Sequence, residues 1–330
     1  MAELVMGLGT SHTPQLSTPV STWSDHAARD RANSRLLGVD GEYHSYDDLL
    51  AAADPAVAAE LGTAAWEGKY QRCQAAIAEL GRRLEVARPD VVVVIGDDQE
   101  ELFGDDGTST FSLFLGEQLA DLAPSAAVRA RMPLGLQEAL WAAHAPDGDV
   151  YRSQPALSLH LVEHLTARDF DVNRFSRQHE GRSLGHAFTF VRRRLGLAGH
   201  VPMVPVFVNT YYPPNVPSAA RCYAFGEALA EAIAAWPEPC RVVVVASGGL
   251  SHFVINEELD RRVLGALARH DGADLAAIER KHLRSGTSEI LNWLAAGGAL
   301  RGRDMEVIDY VAGYRSPAGT GTAMCFSVWS

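Results

Sequence analysis

Residues 241–253 read RVVVVASGGLSHF: four consecutive valines, then small residues and a histidine. A continuous apolar run bounded by glycines is typical of a strand that is buried on both faces, as in an α/β sheet covered by helices. Ser247, Gly248 and Gly249 allow the chain to turn sharply at the carboxyl end of this strand, where such sheets bind ligands. His252 is therefore the first candidate for a catalytic residue, and a core histidine satisfied by hydrogen bonds is the alternative.

The bulk composition favours a globular protein that acts on small molecules. The chain has 330 residues and a formal net charge of −12, and its basic residues form only short runs. A surface of this charge is a poor partner for nucleic acid and for anionic membranes. No segment approaches the roughly 18 uncharged residues of a membrane span, and no basic segment precedes the short apolar N-terminus. The four cysteines are far apart and form no CxxC pair, which is typical of reduced thiols in a cytoplasmic protein.

Strand and helix patterns alternate along the rest of the chain. Apolar runs predict further strands over residues 4–9, 91–95, 170–175, 204–208 and 323–328. Helical periodicity and caps predict helices over residues 66–87, 134–143, 156–166, 185–195, 219–235 and 289–296, and from just after residue 252 to about residue 284. We therefore predict one α/β domain over residues 1–330, with a central, mostly parallel mixed sheet covered by helices on both faces.

The N-terminal part of the chain interrupts this alternation. Residues from about 19 to 70 are polar, contain scattered aromatic side chains and show helical patterns without a convincing strand. We interpret them as a helical insertion that folds over another part of the molecule.

Ionisable and polar side chains follow several of the predicted strands. They are His12, Asp97, Asp98, Gln99, His179 and His252, and Glu289 begins a later helix. Because the carboxyl ends of parallel strands meet at one edge, these groups are expected to share a cleft that could hold a divalent metal beside a free histidine. A solvated loop is the alternative for the acid-rich turn. The sequence has no GxGxxG after a strand, no GxxxxGK[ST] loop and no GxSxG elbow, which argues against nucleotide binding and acyl-enzyme chemistry.

The order of these segments resembles that of the class III extradiol ring-cleavage dioxygenases. The resemblance is carried by SHTP at residues 11–14, the acid-rich residues 96–103, the turn at His179, residues 209–214 and GGLSH at residues 248–252. It covers most of the chain and is thinnest over residues 20–85 and 104–150. Within the family, the likeness is to the catalytic subunit of protocatechuate 4,5-dioxygenase and to gallate and 3-O-methylgallate dioxygenases.

This resemblance implies an Fe(II) enzyme that opens the ring of a catecholic aromatic acid beside the diol with O2. The family binds iron through two histidines and one glutamate. By resemblance, His12 and Glu289 match one histidine and the glutamate, whereas Gln99 stands where the second histidine is expected. The glutamine carbonyl can bind a divalent ion, and Asp98 or Glu101 could take its place as ligand or hydrogen-bonding neighbour.

The remaining histidines also acquire roles by resemblance. His252 matches the acid–base residue, which takes a proton from the substrate and later returns it, and His179 matches the histidine that orients the substrate. His186 is interpreted as a structural neighbour. In the protocatechuate enzyme a separate small subunit closes the site, so by resemblance the insertion over about residues 19–70 is expected to act as the lid here. A homo-oligomer, such as a homodimer, is expected. Two alternatives stay open: cleavage of a 2-aminophenol, and a metal-binding or interaction protein of the same fold that lacks dioxygenase activity. The sequence does not distinguish Fe(II) from Mn(II) or identify the aromatic substrate.

Overall fold

The computed structural model describes residues 1–104 and 107–330. Its strands are β1 (Glu3–Thr10), β2 (Leu36–Leu37), β3 (Tyr43–His44), β4 (Val91–Gly96), β5 (Phe111–Phe114), β6 (Gln118–Asp121), β7 (Asp149–Arg152), β8 (Val172–Phe175), β9 (Met203–Val208), β10 (Arg241–Ser247), β11 (His252–Val254), β12 (Met305–Tyr314) and β13 (Thr320–Trp329). Its α-helices are α1 (Trp23–Ala32), α2 (Tyr46–Ala52), α3 (Thr63–Ala87), α4 (Ala126–Arg129), α5 (Leu134–Ala143), α6 (Pro155–Ala167), α7 (His186–Arg194), α8 (Ala219–Ala235), α9 (Glu257–Ala268), α10 (Gly272–Ala276) and α11 (Ile290–Ala299). None of these helices combines the length and apolarity that a bilayer crossing requires.

A nine-stranded mixed sheet forms the centre of the molecule. Its strand order is β11-β13-β1-β10-β4-β9-β5-β8, and β12 pairs with β13. Strands β1, β10, β4 and β9 are mutually parallel, whereas β13 and β5 join this group in antiparallel orientation. The predicted α/β architecture is therefore confirmed. The carboxyl ends of the four parallel strands lie side by side at one edge, and this edge carries the candidate site.

The valine run of β10 is buried because helices cover both faces of the sheet. Val242 and Val244 pack in a cluster with residues of α8 and α11, whereas Val243 and Val245 pack in a second cluster with residues of α3 and α7. Successive side chains of a strand point to opposite faces, so two apolar layers require an uninterrupted apolar sequence. Each fully buried valine contributes roughly 1.5–3 kcal/mol relative to an exposed one.

Several segments differ from the prediction. Strand β5 of the central sheet and the pair formed by β6 and β7 lie where no strand was predicted. The chain after residue 252 was expected to be helical, but it first forms β11, which pairs with β13, and the helix begins only at Glu257. Strand β12 was not predicted, because much of it is only half-buried and it lacks a continuous apolar run. Within the insertion, β2 and β3 form a short antiparallel pair where no strand was expected. In each case the pairing partner, rather than the local sequence, determines the extended backbone.

The packing of α8 against α11 leaves no space for a methyl group at Gly226. A Cβ atom added there would lie 1.8 Å from the carbonyl oxygen of Ala295. We expect Gly226→Ala to lower the free energy of unfolding by about 1–3 kcal/mol, because a backbone oxygen cannot move aside as a flexible side chain can. Denaturant unfolding followed by circular dichroism measures this change.

Gly68 provides the matched control, since it is exposed on α3 with no atom within 4 Å of an added Cβ. Gly68→Ala should raise the free energy of unfolding by roughly 0.5–1 kcal/mol, because alanine loses less backbone entropy in a helix. Equal stabilities of the two variants would contradict the close approach of α8 and α11.

Candidate active site

The carboxyl edge of the parallel strands brings together His12, Asp97 and Glu289. His12 follows β1, Asp97 follows β4 directly, and Glu289 ends a 3-10 turn immediately before α11. All three side chains are buried, and one potential ligand atom from each lies within 4.8 Å of the others. The structure therefore joins His12 and Glu289, which were matched to metal ligands by resemblance, with Asp97, one of the polar residues that the sequence analysis expected at the same cleft.

Hydrogen bonds orient the imidazole of His12. The Ser247 hydroxyl lies 2.5 Å from the carbonyl oxygen of Ala187, to which it can only donate, so its oxygen accepts a hydrogen bond from His12 Nδ1 at 3.0 Å. With the hydrogen on Nδ1, Nε2 keeps a free lone pair. Nε2 is buried and lies 3.3 Å from Glu289 Oε2, yet it makes no hydrogen bond within the described part of the chain. A nitrogen held in this way is typical of a metal ligand.

Hydrogen-bond donors hold the carboxylates of Glu289 and Asp97 close to each other. Glu289 accepts hydrogen bonds from the backbone N–H of Gly249 at 2.6 Å and from the Tyr211 hydroxyl at 2.8 Å. Asp97 accepts a hydrogen bond at 2.9 Å from Asn292. Burial, together with the nearby charge of Glu289, raises the pKa of Asp97 to about 6. A divalent cation would relieve the repulsion between two buried carboxylates, so this donor set fits a metal ion.

Gln99 lies beside this cluster as a hydrogen-bond donor. Its amide nitrogen is 3.2 Å from Asp97 Oδ2 and 3.2 Å from Glu289 Oε1. An amide NH2 group cannot bind a cation, so in this orientation Gln99 positions the two carboxylates. Ligation by the carbonyl, as predicted from the sequence, requires the amide oxygen and nitrogen to exchange places.

The two other substitutes suggested for the second histidine are engaged elsewhere. Asp98 accepts hydrogen bonds at 2.9 and 3.1 Å from the backbone N–H groups of Leu102 and Phe103, and it thereby shapes the turn after β4. Glu101 pairs with His186, with 2.9 Å from each carboxylate oxygen to Nδ1. Of the acidic residues that follow β4, Asp97 is therefore the one whose side chain lies with His12 and Glu289. The feature of the sequence that could have singled out Asp97 is its position directly after the buried strand β4.

His252 lies next to Glu289 with a defined tautomer. Its Nδ1 is 2.8 Å from the carbonyl oxygen of Leu250, which can only accept, so Nδ1 carries a hydrogen and Nε2 is the nitrogen that can gain or lose a proton. Nε2 lies 3.3 Å from Glu289 Oε1 and 3.4 Å from the Tyr211 hydroxyl. Burial acts to lower the pKa of His252, but the Glu289 carboxylate and the hydrogen bond to Leu250 raise it above its ordinary value. The ring can therefore hold a proton beside the metal-ligand cluster.

The structure does not bring His179 to this site. Its side chain is exposed, and it is not among the described residues that line the cavity. His186, which the sequence analysis treated as a structural neighbour, lies there instead, with its ring edge-to-face against His12 at a centroid distance of 4.6 Å. Burial alone would lower the pKa of His186, but the Glu101 carboxylate outweighs it and raises the pKa to about 9. The feature of the sequence that could have singled out His186 is its position at the start of the predicted helix, directly after Gly185.

A cavity of about 800 Å³ opens above these groups. Its walls include His12, Gln99, Tyr211, His252 and Glu289 on the sheet side, and residues of α1 and α5 on the opposite side. Since α1 belongs to the predicted insertion, part of that segment forms the cavity wall. Its movement as a lid stays a prediction.

A buried cluster of metal-binding side chains at the carboxyl edge of an α/β sheet, with free histidines beside it, is typical of a metal-dependent enzyme. The chain belongs to the family described as the catalytic LigB subunit of aromatic ring-opening dioxygenase, whose model matches residues 54–325. The resemblance to the class III extradiol dioxygenases is thereby confirmed.

Individual relatives match a shorter part of the chain. One is a gallate dioxygenase of Pseudomonas putida, 37% identical over 105 residues, which cover 31% of this chain and 29% of the relative. Another is a 2,3-dihydroxyphenylpropionate/2,3-dihydroxicinnamic acid 1,2-dioxygenase of Comamonas testosteroni, 30% identical over 96 residues, which cover 29% of each chain. These matches span less than a third of the length of either relative.

Proposed function

We propose that this protein is an Fe(II)-dependent extradiol dioxygenase that cleaves the ring of a catecholic aromatic acid with O2. The observation that carries the proposal is the buried cluster of His12, Asp97 and Glu289 with Nε2 of His252 beside it. Family membership and relatives named for gallate and dihydroxyphenylpropionate support the reaction class and the catecholic substrate.

His12, Asp97 and Glu289 would hold the metal. One imidazole nitrogen and two carboxylates suit Fe(II), and they suit Mn(II) as well. When bound, such an ion supplies Lewis-acid activation of the catechol and redox chemistry with dioxygen. Gln99 supports the two carboxylates through its amide hydrogens, and as an alternative its carbonyl oxygen joins the ligands after the amide is reversed.

His252 is proposed as the acid–base residue. Its hydrogen is fixed on Nδ1 by Leu250, so Nε2 accepts a proton from a catechol hydroxyl as the substrate enters and returns it at a later step. Tyr211 does not compete for this role. Burial and the charges of Glu289 and Asp97 raise its pKa well above the ordinary value, so its hydroxyl stays protonated and donates to Glu289.

His186 is proposed to assist at the substrate oxygens. Its ring lines the cavity and keeps a proton because Glu101 compensates the charge. A protonated imidazole stabilises a substrate oxygen that becomes negative, and it orients the ring by hydrogen bonding. This role was expected for His179, which is exposed.

Oxygen uptake tests the proposed function. The protein is depleted of metal with a chelator, reloaded anaerobically with Fe(II) or Mn(II), and mixed with gallate, 3-O-methylgallate, protocatechuate, 2,3-dihydroxyphenylpropionate or 2-aminophenol in aerated buffer. We expect one O2 consumed per catecholic acid and a coloured ring-fission product. The depleted protein is the control. Metal binding without oxygen uptake on any compound would favour a metal-binding protein that lacks dioxygenase activity. Oxygen uptake on 2-aminophenol alone would favour an enzyme that cleaves 2-aminophenols. The homo-oligomer and the cytoplasmic location stay predictions.

A further inference from the structure

One buried carboxylate near the candidate site has no part in the chemistry proposed above. Asp260 lies in α9, its side chain is fully buried, and it is not among the described residues that line the cavity. In the described part of the chain its hydrogen bonds come from neutral donors, and burial raises its pKa to about 6. Burying a carboxylate without a directly bonded cation is costly for a fold, so its presence here points to a role in function.

Asp260 holds Ser251, the residue that precedes His252. Its Oδ1 accepts a hydrogen bond from the backbone N–H of Ser251 at 2.9 Å, and its Oδ2 accepts one from the Ser251 hydroxyl at 2.7 Å. The hydroxyl oxygen in turn accepts a hydrogen bond at 2.8 Å from the backbone N–H of Asn256, just before α9. The carboxylate therefore fixes both the backbone and the side chain of Ser251, which is itself fully buried.

Ser251 belongs to the segment GGLSH at residues 248–252, which we name the GGLSH turn. The GGLSH turn carries His252, and its Leu250 carbonyl oxygen accepts the hydrogen bond that orients the imidazole. The backbone N–H of Gly249 donates to Glu289 in the same turn. The position of this turn therefore decides where the imidazole of His252 lies relative to the metal-ligand cluster.

The GGLSH turn is held from two sides at its carboxyl end. On one side Asp260 holds Ser251 through both carboxylate oxygens. On the other side the Thr287 hydroxyl bonds the backbone N–H and the carbonyl oxygen of His252 at 3.1 and 2.9 Å. Because these contacts act on adjacent residues, removal of the carboxylate leaves His252 attached only through its own backbone and the Leu250 carbonyl.

Asp260 also has a purely structural contact, for which the helix offers a matched comparison. The Tyr310 hydroxyl of β12 donates to Asp260 at 2.8 Å, and the Tyr314 hydroxyl of the same strand donates to Glu257 at 2.9 Å. Both acidic residues therefore link α9 to β12, whereas Asp260 in addition bonds Ser251. Comparison of the two residues separates anchoring of the helix from positioning of the turn.

We propose that Asp260 is a positioning residue that fixes His252 for proton transfer by holding Ser251. This inference rests on the proposed function, which gives His252 its acid–base role. A displacement of a catalytic group by about 1 Å can lower a rate about 100-fold, so a carboxylate that touches neither substrate nor metal can still be needed for turnover.

Steady-state oxygen uptake by the iron-loaded protein compares the two acidic residues of α9. Asp260→Ala should lower kcat about 10–100-fold and change KM by less than about threefold, because the cavity wall is unchanged. Glu257→Ala should keep kcat within about twofold of the original protein. Asp260→Asn keeps an acceptor for the Ser251 N–H, so it should recover most of the lost kcat. Equal values of kcat in the two alanine variants would overturn the inference.

A double-mutant cycle shows whether the loss acts through His252. In the His252→Asn background, Asp260→Ala should lower kcat by less than about a further twofold, because the side chain that it positions is already absent. A carboxylate that only stabilises the fold would lower kcat by the same factor in both backgrounds, and that result would contradict the inference. If Asp260→Ala does not fold, Ser251→Ala takes its place in the cycle, with an expected loss of about threefold or more in the original background.

NMR of isotope-labelled histidines in the metal-free protein tests the positioning without turnover. The His252 ring signal is identified by its absence from His252→Asn. Asp260→Ala, or Ser251→Ala in its place, should shift or broaden this signal, and Glu257→Ala should leave it unchanged. An unchanged signal in the first variant would overturn the inference. A shifted signal in a protein that consumes no O2 with any catechol would reject the proposed function and support only the positioning of His252 by Asp260.

Discussion

Asp97→Asn and Glu289→Gln should each weaken binding of Fe(II) about 100-fold or more. Each substitution keeps the shape of the side chain but replaces a carboxylate by a neutral amide. It thereby removes one negative charge from the buried pair of carboxylates beside His12. The iron content of protein purified after anaerobic loading, and competition with a coloured chelator, measure the loss. Circular dichroism shows whether the variants fold.

Gln99→Ala is the decisive companion variant. In the structure Gln99 only donates hydrogen bonds to the two carboxylates, so its removal should weaken iron binding by about tenfold at most. If Gln99→Ala loses iron as completely as Glu289→Gln while Asp97→Asn retains it, then the ligand is Gln99, as the sequence analysis predicted, and Asp97 has only a supporting role.

His252→Asn should lower kcat by about 10²–10⁴-fold and leave the iron content unchanged. His252 supplies the Nε2 that is proposed to accept the substrate proton, and asparagine has no group that titrates near neutral pH. Asparagine is the appropriate replacement because the site is tight: a Cβ on Gly286 would lie 2.2 Å from His252 Cδ2. Steady-state oxygen uptake and iron analysis of the same preparations give both quantities.

The exposed His179 provides the matched control for this result. His179→Asn should keep kcat within about twofold of the original protein, since its side chain lies away from the cavity and exposed substitutions have small effects. His186→Asn should lower kcat as well, because it removes the protonated ring from the cavity wall. A large loss in His179→Asn together with normal activity in His186→Asn would show that the assignment from the structure is wrong.

Local sequence was sufficient for the parallel strands at the centre of the sheet. The valines of residues 241–247 indicated a strand covered on both faces, and the structure has that strand at the centre of the sheet. The placement of His12 and His252 just after buried strands was also readable, because the end of an apolar run marks the point where a strand leaves the core. The identity of these side chains and their position at one edge of the sheet followed from residue order alone.

The tertiary structure alone decided which side chains meet. Asp97 rather than Asp98 faces His12 and Glu289, because successive residues after β4 point in different directions and Asp98 turns back to the N–H groups of its own loop. His186 rather than His179 lies at the cavity because β8 is parallel to β5 and therefore antiparallel to β9, so the chain leaves β8 away from the carboxyl edge of the four parallel strands. The chain lines the cavity only where α7 begins, at His186. Such contacts arise between segments that share no local pattern, so no run of neighbouring residues encodes them.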